Sequence, residues 1–554
     1  MNALKHHMER WRRNHGDFIM LAVLFATFRA MTVLYFRPGG YIRDYTDSVY
    51  YLGAASLTDQ GLYPFIDYWL EYPPLFPWLT VALYRLSLLL PPWAEDPRLW
   101  FNVMLGLILV LFELGNLVLI YAIARRTEKS PSGLRAAVFY AMLFTPVATL
   151  TGFFDNIPLF FMLLGLYWLL GQKSWSSGIA LGFGFAVKIT PAVLIPVAVH
   201  ALAGWQRRAQ HLIGAAVAVI VLSAPFLFLN PGLYLTPFRG ALGRSSWETI
   251  WALLEGYFGY GAVGGDRFDH NVSDFTIHAG SLPWAWITAG FALVYLWFYT
   301  RPLDYRDSQK VLGLSTLTIA LFMLYSKGYS PQFLIYLLPF VALCCAHIRG
   351  VIYVVALTLL NFLEQPVYFV IFPDRHGFYT GLVIFRTVML AAVTVEGAFI
   401  LMTPSLSLRR IWDRLVAVLA TALAVWVVWS GSGLMQTYKE THFASEPFRP
   451  ATEYLRGAAD PADGTGLVFT DPDVYRRVYP YLHAEMDLRI VKTDSTTWEK
   501  RLQEWTAAHP RFWLWRGNVT DPDLEAWLDN HAEVVESRSF EWGSLILLST
   551  VQAE

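Results

Sequence analysis

Asp44 and Asp47 stand three residues apart in the string RDYTDSVYYLG, where a helical run begins. At that spacing two carboxylates can share one helix face, and the helix amino terminus favours their ionised forms. Tyr45, Tyr50, Tyr51, Tyr68, Trp69 and Tyr72 surround them. An ionised carboxylate can take the proton of a sugar hydroxyl, and aromatic rings suit the apolar face of a sugar. A capped interfacial helix inside an aromatic belt would use the same residues, so spacing alone leaves both readings open. Further polar points follow: Asp155 in GFFDN, Lys188 in GFGFAVKITPAVLIP, and the turn KGYSPQF at 327–333. Glycines and prolines break the helix beside Lys188, and irregular backbone at membrane depth is tolerated only where it lines a cavity. An ammonium next to free backbone N–H groups suits a phosphate. The competing reading is a lysine that snorkels to the interface.

These residues work in an apolar solvent. Of 554 residues, 55% are hydrophobic and 15% charged, where a soluble chain would be about a quarter charged. The chain therefore reads as an all-α polytopic membrane protein with a small α/β domain at its carboxy terminus. Lys plus Arg 42 against Asp plus Glu 43 leaves no polybasic surplus, which excludes nucleic acid as a partner. Cys344 and Cys345 are adjacent in an apolar run, and that suits packing better than a disulfide framework or a zinc site.

The first apolar run, Phe18 to Phe36, follows Lys5, Arg10, Arg12 and Arg13. It predicts an uncleaved first helix with a cytoplasmic amino terminus. The segment Leu75 to Leu90 lies between Pro73-Pro74 and Pro91-Pro92 and is expected to lie in the interface within the first outer loop, 37–98. Counting it as a crossing would put Arg125, Arg126 and Lys129 outside, against the charge bias. Spans are then expected near 99–122, 134–151, 157–171, 211–229, 284–300, 310–326, 331–346, 350–372, 378–402 and 412–433. Two short helices meeting within 176–204 bring the total to about thirteen membrane segments, with the carboxy terminus outside. Ionisable residues at depth cost about 2.5–3.5 kcal/mol each and need reasons. Glu113, Glu364 and Arg386 are expected to pair across helices, and Arg29 to snorkel partly outward.

A membrane region at 1–434 gives way to a different composition at 435–554. Its apolar runs have strand length: GLVFT at 466–470, LRIV at 488–491, RFWLW at 511–515 and SLILLS at 544–549,. Thr470-Asp471-Pro472-Asp473 and Thr520-Asp521-Pro522-Asp523 repeat one helix start, an Asp cap followed by Pro at the first helical position,. No glycine-rich nucleotide fingerprint is present, so a packing or acceptor-guiding domain is expected.

The ordered set of strings, an acidic aromatic first loop ending in YPPL, then GFFDN, GFAVKITP and KGYSPQFLIYLLP, resembles the GT-C superfamily of membrane glycosyltransferases. It is most similar to polyprenyl-phosphate-mannose-dependent mannosyltransferases and the catalytic subunit of GPI mannosyltransferase I. The resemblance covers residues 18–345 and leaves the carboxy-terminal domain outside. It implies that Asp47 occupies the catalytic acidic position, with Asp44 as the alternative. It further implies substrate contacts from Glu71 and Tyr72 before the Pro-Pro step and from Asp155, Lys188, Lys327 and Gln332; Arg43, beside Asp44, is a further candidate substrate-binding residue. GPI-type relatives separate their two acids by one residue; the wider spacing here does not favour a divalent metal, and no cofactor is expected. The implied partners are a polyprenyl-phosphate-sugar donor, a glycan or glycolipid acceptor, and membrane lipids. The implied reaction is an inverting hexosyl transfer, of mannose by the resemblance, on the extracytoplasmic side of the plasma membrane. A lipid-linked sugar transporter would share the cavity and Lys188, but it predicts inverted internal repeats, and the sequence has none.

Overall fold

Apolar solvent forces a backbone to satisfy its own N–H and C=O groups, and the long apolar runs accordingly form helices. A computed structural model describes residues 2–35, 47–94, 96–127, 133–150, 152–261, 263–271, 273–302, 304, 306–458, 466–491, 493, 497–517, 521–540 and 543–551. The first helices are α1 (Asn2–Tyr35), α2 (Ser48–Ser56), α3 (Leu75–Ser87), α4 (Leu99–Thr127), α5 (Gly133–Ala141), α6 (Phe144–Thr149), α7 (Asn156–Leu170), α8 (Ser174–Val187) and α9 (Ile195–Ala201). They continue as α10 (Trp205–Leu229), α11 (Pro231–Gly243), α12 (Ile250–Leu254), α13 (Trp284–Tyr299), α14 (Ser308–Tyr325), α15 (Leu338–Cys344), α16 (Ile348–Phe362), α17 (His376–Met402) and α18 (Leu406–Ser445). Among the described residues, seven helical stretches are long and apolar enough to cross a membrane: His15–Tyr35, α4, α10, α14, Ile348–Ile371, α17 and Leu406–Phe443. Shorter apolar helices lie between them, including α7, α8 and α13.

The chain divides within α18 into two compact units, Met1–Trp426 and Val427–Glu554. In the first unit, α3 has 13 residues, about 20 Å of rise, too short for a 30 Å core. Two expected single spans are each broken. The 134–151 span becomes α5 and α6, with Leu143 extended between them and Pro146 seated in the first turn of the new helix, where a proline is tolerated. The 331–346 span becomes a 3-10 turn, Pro331–Tyr336, followed by α15, whose second residue is Pro339. The 176–204 stretch is broken as expected: α8 ends at Val187, Lys188 is extended, and a 3-10 turn, Thr190–Leu194, leads into α9.

Small residues bring α8 and α10 into close contact. A Cβ on Gly182 would lie 2.5 Å from the Ala215 carbonyl oxygen, and one on Gly178 would collide with the His211 carbonyl. Gly182→Val is therefore expected to cost about 1–3 kcal/mol by overpacking, read as a lower thermal unfolding midpoint of the purified protein. Gly290→Ala in α13, with nothing within 4 Å, should not lower the midpoint, since alanine is the better helix former.

Two sets of buried charges in this unit are paired. Arg386 bonds Glu364, and both are at most 2% exposed. Glu113 accepts from the Tyr140 hydroxyl at 2.9 Å and lies 4.0 Å from Arg29 Nε. The expectation that Arg29 snorkels outward is corrected: it is 1% exposed, bonds the Ala141 carbonyl at 3.2 Å and stacks 4.3 Å from the Phe25 ring. A counter-charge on α4 holds it inside, and breaking such a pair would leave Glu113 buried without a counter-charge.

The second unit holds a five-stranded sheet in the order β4-β3-β5-β7-β6, numbered after a short hairpin of β1 (Gly264–Gly265) and β2 (Ser273–Asp274) in the first unit. The strands are β3 (Gly466–Phe469), β4 (Leu488–Ile490), β5 (Arg511–Arg516), β6 (Ala532–Phe540) and β7 (Gly543–Thr550), interleaved with α19 (Arg449–Ala458), α20 (Pro472–Leu482), α21 (Trp498–Ala508) and α22 (Pro522–His531). β3 pairs in parallel with β4 and β5, while β7 runs antiparallel to β5 and β6. Alternation sorts the two faces. Leu467, Phe469, Trp513 and Trp515 pack with α19 and α20, and Val468, Phe512 and Leu514 with α21 and α22. Both repeated helix starts are capped as expected: Asp471 accepts from Asp473 N at 2.7 Å and Asp521 from Asp523 N at 3.1 Å.

Candidate active site

Asp47 precedes α2 directly and makes no side-chain cap bond to it. Its Oδ2 instead accepts the Tyr51 hydroxyl at 3.1 Å, one helical turn on, and the Tyr72 hydroxyl at 3.3 Å. Tyr72 is carried on the 61–74 stretch, whose fold is set locally. Gly61 adopts φ 77°, Asp67 accepts from Tyr63 N at 2.8 Å, and Tyr68 donates to the Ala54 carbonyl at 2.7 Å. Phe76 stacks on Phe154 with centroids 3.7 Å apart, and Tyr51 and Tyr72 meet that pair edge-on at 4.8 and 4.7 Å. Such contacts fix the phenols that hold the carboxylate.

Phe154 leads to Asp155, which is 1% exposed and stands ahead of α7. Its Oδ1 accepts from Lys188 Nζ at 2.5 Å and from the Tyr336 hydroxyl at 2.5 Å. The ammonium lies within an aromatic box, 5.1 Å from the Phe154 ring, 5.6 Å from Tyr72 and 4.8 Å from Phe333. The broken helix supplies Lys188, the turn Pro331–Tyr336 supplies Phe333 and Tyr336, and the first loop supplies Tyr72. Segments distant in sequence thus converge on one ion pair.

A third wall comes from the loop between β1 and β2. Trp69 N and Nε1 donate to the Arg267 and Asp266 carbonyls, both at 2.9 Å, which latches this loop to the first one. Arg267 Nη2 then donates to Glu71 Oε1 at 2.9 Å, and its guanidinium stacks 4.2 Å from Trp69. Arg267 Nη1 is buried without a hydrogen-bond partner among the described residues. Arg244 stacks 3.9 Å from Trp247; burial lowers its pKa, opposed by Glu71, Tyr72 and Glu248.

The structure thus brings Asp47, Glu71, Tyr72, Asp155 and Lys188 onto neighbouring walls. Asp44 and Arg43 lie outside the described residues. Lys327 is placed elsewhere: its Nζ faces the Leu242 carbonyl at 3.4 Å and the Trp284 ring at 5.0 Å, while its own carbonyl accepts Trp247 N at 3.0 Å. Gln332 is half-buried next to Phe333. Burial dominates and raises the Asp47 pKa, aided by Glu71, while the Tyr51 and Tyr72 hydroxyls and the Lys188 charge pull it down.

Arg267, Arg244 and Tyr336 were not singled out from the sequence. The arginines lie in a stretch rich in polar residues between α11 and α13, and Tyr336 in an apolar run; Tyr336 and Arg267 are revealed only by contacts across 181 and 196 positions. One group has metal-ligand spacing among the described residues: Cys345, His347 and Glu396, with ligand atoms within 4.8 Å. Glu396 is already engaged there by Arg349 at 2.7 and 3.1 Å, Tyr353 at 3.0 Å and Trp412 at 3.2 Å, so it reads as a charge-paired knot.

The Asp47 surroundings set a pH dependence with a definite sign. A carboxylate acting as a base works above its pKa, so activity should fall on acidification through a value higher than an ordinary carboxylate's. The Tyr51 bond favours the charged form. Tyr51→Phe should therefore move the acid limb of the kcat/KM profile to higher pH, and an unmoved limb would show that Asp47 does not set it.

Comparisons with known proteins give the following. Residues 69–326 match the family model of Glycosyltransferase family 87, which upholds for that stretch the resemblance to glycosyltransferases. The polyprenol-phosphate-mannose-dependent alpha-(1-2)-phosphatidylinositol pentamannoside mannosyltransferase of Mycobacterium tuberculosis is 30% identical over 228 residues, 38% of this chain and 48% of that protein. The chain thus matches about half the length of this curated relative. Among solved structures, apo ArnT from Cupriavidus metallidurans aligns at 16% identity over 96% of this chain and 98% of that one, with a TM-score of 0.41. The Archaeoglobus fulgidus oligosaccharyltransferase tethered to an acceptor peptide aligns at 11% identity over 98% of this chain and 75% of that one, with a TM-score of 0.34.

Proposed function

We propose, from the glycosyltransferase match of residues 69–326 and the walls around Asp47, that the chain is an integral-membrane glycosyltransferase moving a hexose from a polyprenyl-phosphate sugar to an acceptor hydroxyl. Mannose and a glycolipid acceptor follow from the named relative. The observation that carries the reading is a half-buried carboxylate, held by two phenols, beside cations that can face a phosphate.

Oδ2 of Asp47 accepts both phenols, and among the described residues nothing donates to Oδ1. In the proposed reaction Oδ1 takes the acceptor's hydroxyl proton as the oxygen bonds the anomeric carbon. The bond from that carbon to the phosphate oxygen breaks, and polyprenyl phosphate leaves with the electron pair from the opposite face, inverting the centre. Charge growing on the leaving phosphate needs preorganised donors. Lys188 is already paired with Asp155, so Arg267, with a buried unpartnered N–H, is the better donor. Lys188 and its aromatic box then suit the sugar.

In the proposed topology, read from the loop charges, the amino terminus is cytoplasmic, about thirteen segments enter the bilayer, and the site faces outward at the plasma membrane. Incubating the purified full chain with radiolabelled polyprenyl-phosphate-mannose and a panel of glycolipid acceptors tests the reaction. Label should move to an acceptor. Transfer only from a different polyprenyl-phosphate sugar would overturn mannose, and sugar-lipid movement across vesicles without transfer would favour a transporter.

A further inference from the structure

Outside the candidate site, α1 and α4 leave a groove of about 730 Å³ between them. Its walls are apolar and partly small: Phe18, Ala22 and Ala26 from α1, and Leu114, Val118 and Ala122 from α4. Its mouth is polar, formed by His15, Arg125 and Arg126.

The groove belongs to the end of the bundle remote from Asp47. Phe101, Leu105 and Leu109 of α4 cluster with Tyr51, Phe76 and Phe154, so the first half of α4 marks the level of the site. Arg125 follows Leu105 by about 30 Å of helix rise, one hydrocarbon thickness. From Leu114 to Arg126 the rise is about 18 Å, close to half of that thickness plus the interface. The groove therefore runs from near the midplane to one headgroup layer, the path of an acyl chain in a single leaflet.

Charge decides the headgroup. Arg125 and Arg126 are exposed. Arg125 Nη1 lies 3.1 Å from the His15 ring, and Arg126 donates to the Tyr167 carbonyl at 2.8 Å while stacking 3.6 Å from that ring. A guanidinium offers five N–H donors, so these bonds fix both groups without exhausting them. On the same end of α1, Lys5, Arg10, Arg12 and Arg13 outnumber Glu9 and Asp17.

We propose that this groove is a binding site for an anionic phospholipid of the leaflet opposite the candidate active site, with one acyl chain between α1 and α4 and its phosphate at Arg125 and Arg126. Basic pockets between membrane helices recognise anionic headgroups in this way. In the proposed topology this is the cytoplasmic leaflet, and the bound lipid would brace the first helix against α4. The inference is independent of the transfer reaction, since none of these residues touches the Asp47 walls.

Native mass spectrometry of the purified full chain, with phosphatidylglycerol and phosphatidylcholine of identical acyl chains, tests it. Phosphatidylglycerol should be retained preferentially. Arg125→Gln with Arg126→Gln should weaken its retention about thirtyfold, from about 1 kcal/mol per basic residue at 1.4 kcal/mol per decade. Arg125→Lys with Arg126→Lys should keep most of it, which separates charge from the packing of Arg126 on Tyr167. Ala22→Phe, which fills the groove, should weaken retention of both lipids. Equal retention of the two lipids, or undiminished phosphatidylglycerol binding in the glutamine double variant, would overturn the proposal. Stronger retention of polyprenyl phosphate than of phosphatidylglycerol would also overturn it, in favour of a carrier-lipid site.

Discussion

Asp47→Asn should lower kcat about 10²- to 10⁴-fold, the range for loss of a positioned general base, with little change in donor affinity or unfolding temperature. The amide is nearly isosteric, and its oxygen can still accept the Tyr51 and Tyr72 hydroxyls that the carboxylate takes at 3.1 and 3.3 Å. What it lacks is a basic oxygen for the acceptor's proton. Burial already makes the Asp47 carboxylate a stronger base than an exposed one, so removing it should cost more than removing either phenol. Single-turnover transfer of radiolabelled sugar gives the rate, and binding of the unreacted donor gives the affinity. An Asn variant that transfers at nearly the parent rate would remove Asp47 from the chemistry. A variant that loses donor binding in equal proportion would make it a binding residue. Tyr72→Phe is the useful companion, because it removes one hydrogen bond to Asp47 and leaves the base in place.

Residues near a helix start or break were legible in the sequence; contacts between distant loops were not. Asp47, Asp155 and Lys188 stood out because a charge beside a long apolar run needs a reason, and two of them prove to be one ion pair at 2.5 Å. The sequence reading gave Lys188 a phosphate and Asp155 a separate turn, since nothing local tells that residues 33 positions apart meet. Arg267 lies in a loop where polar residues are common, so its partnership with Glu71 carried no signal. The carboxy-terminal strands show the same limit. Four were readable from apolar runs, whereas β6, AEVVESRSF, was missed because it is an edge strand with most of its residues exposed. Helix breaks at Pro146 and Pro339 were visible as prolines, but apolar flanks on both sides favoured a continuous span.

Arg386→Met should destabilise the membrane unit by about 3–5 kcal/mol, the cost of removing one partner of a buried ion pair. Arg386 is 2% exposed and bonds both the Glu364 carboxylate and the Glu248 carbonyl. Without it Glu364, 0% exposed, keeps no counter-charge among its described bonds. The effect should reach the candidate site through packing. The Arg386 guanidinium lies 3.9 Å from the Tyr329 ring, Tyr329 N donates to the Trp247 carbonyl at 3.1 Å, and the same turn leads to Phe333 and Tyr336 beside Lys188 and Asp155. Loosening that turn should raise KM in whatever fraction stays folded. Arg386→Met combined with Glu364→Met should recover most of the stability, because two apolar side chains of similar volume replace the pair without leaving a charge. It should not recover KM, because the support under Tyr329 and the bond to the Glu248 carbonyl are still missing. Thermal unfolding and steady-state kinetics on the same preparations separate the two effects. If the double variant restores stability and KM together, Arg386 serves charge balance alone; if the single variant unfolds at the parent temperature, the pair does not hold the helices at all.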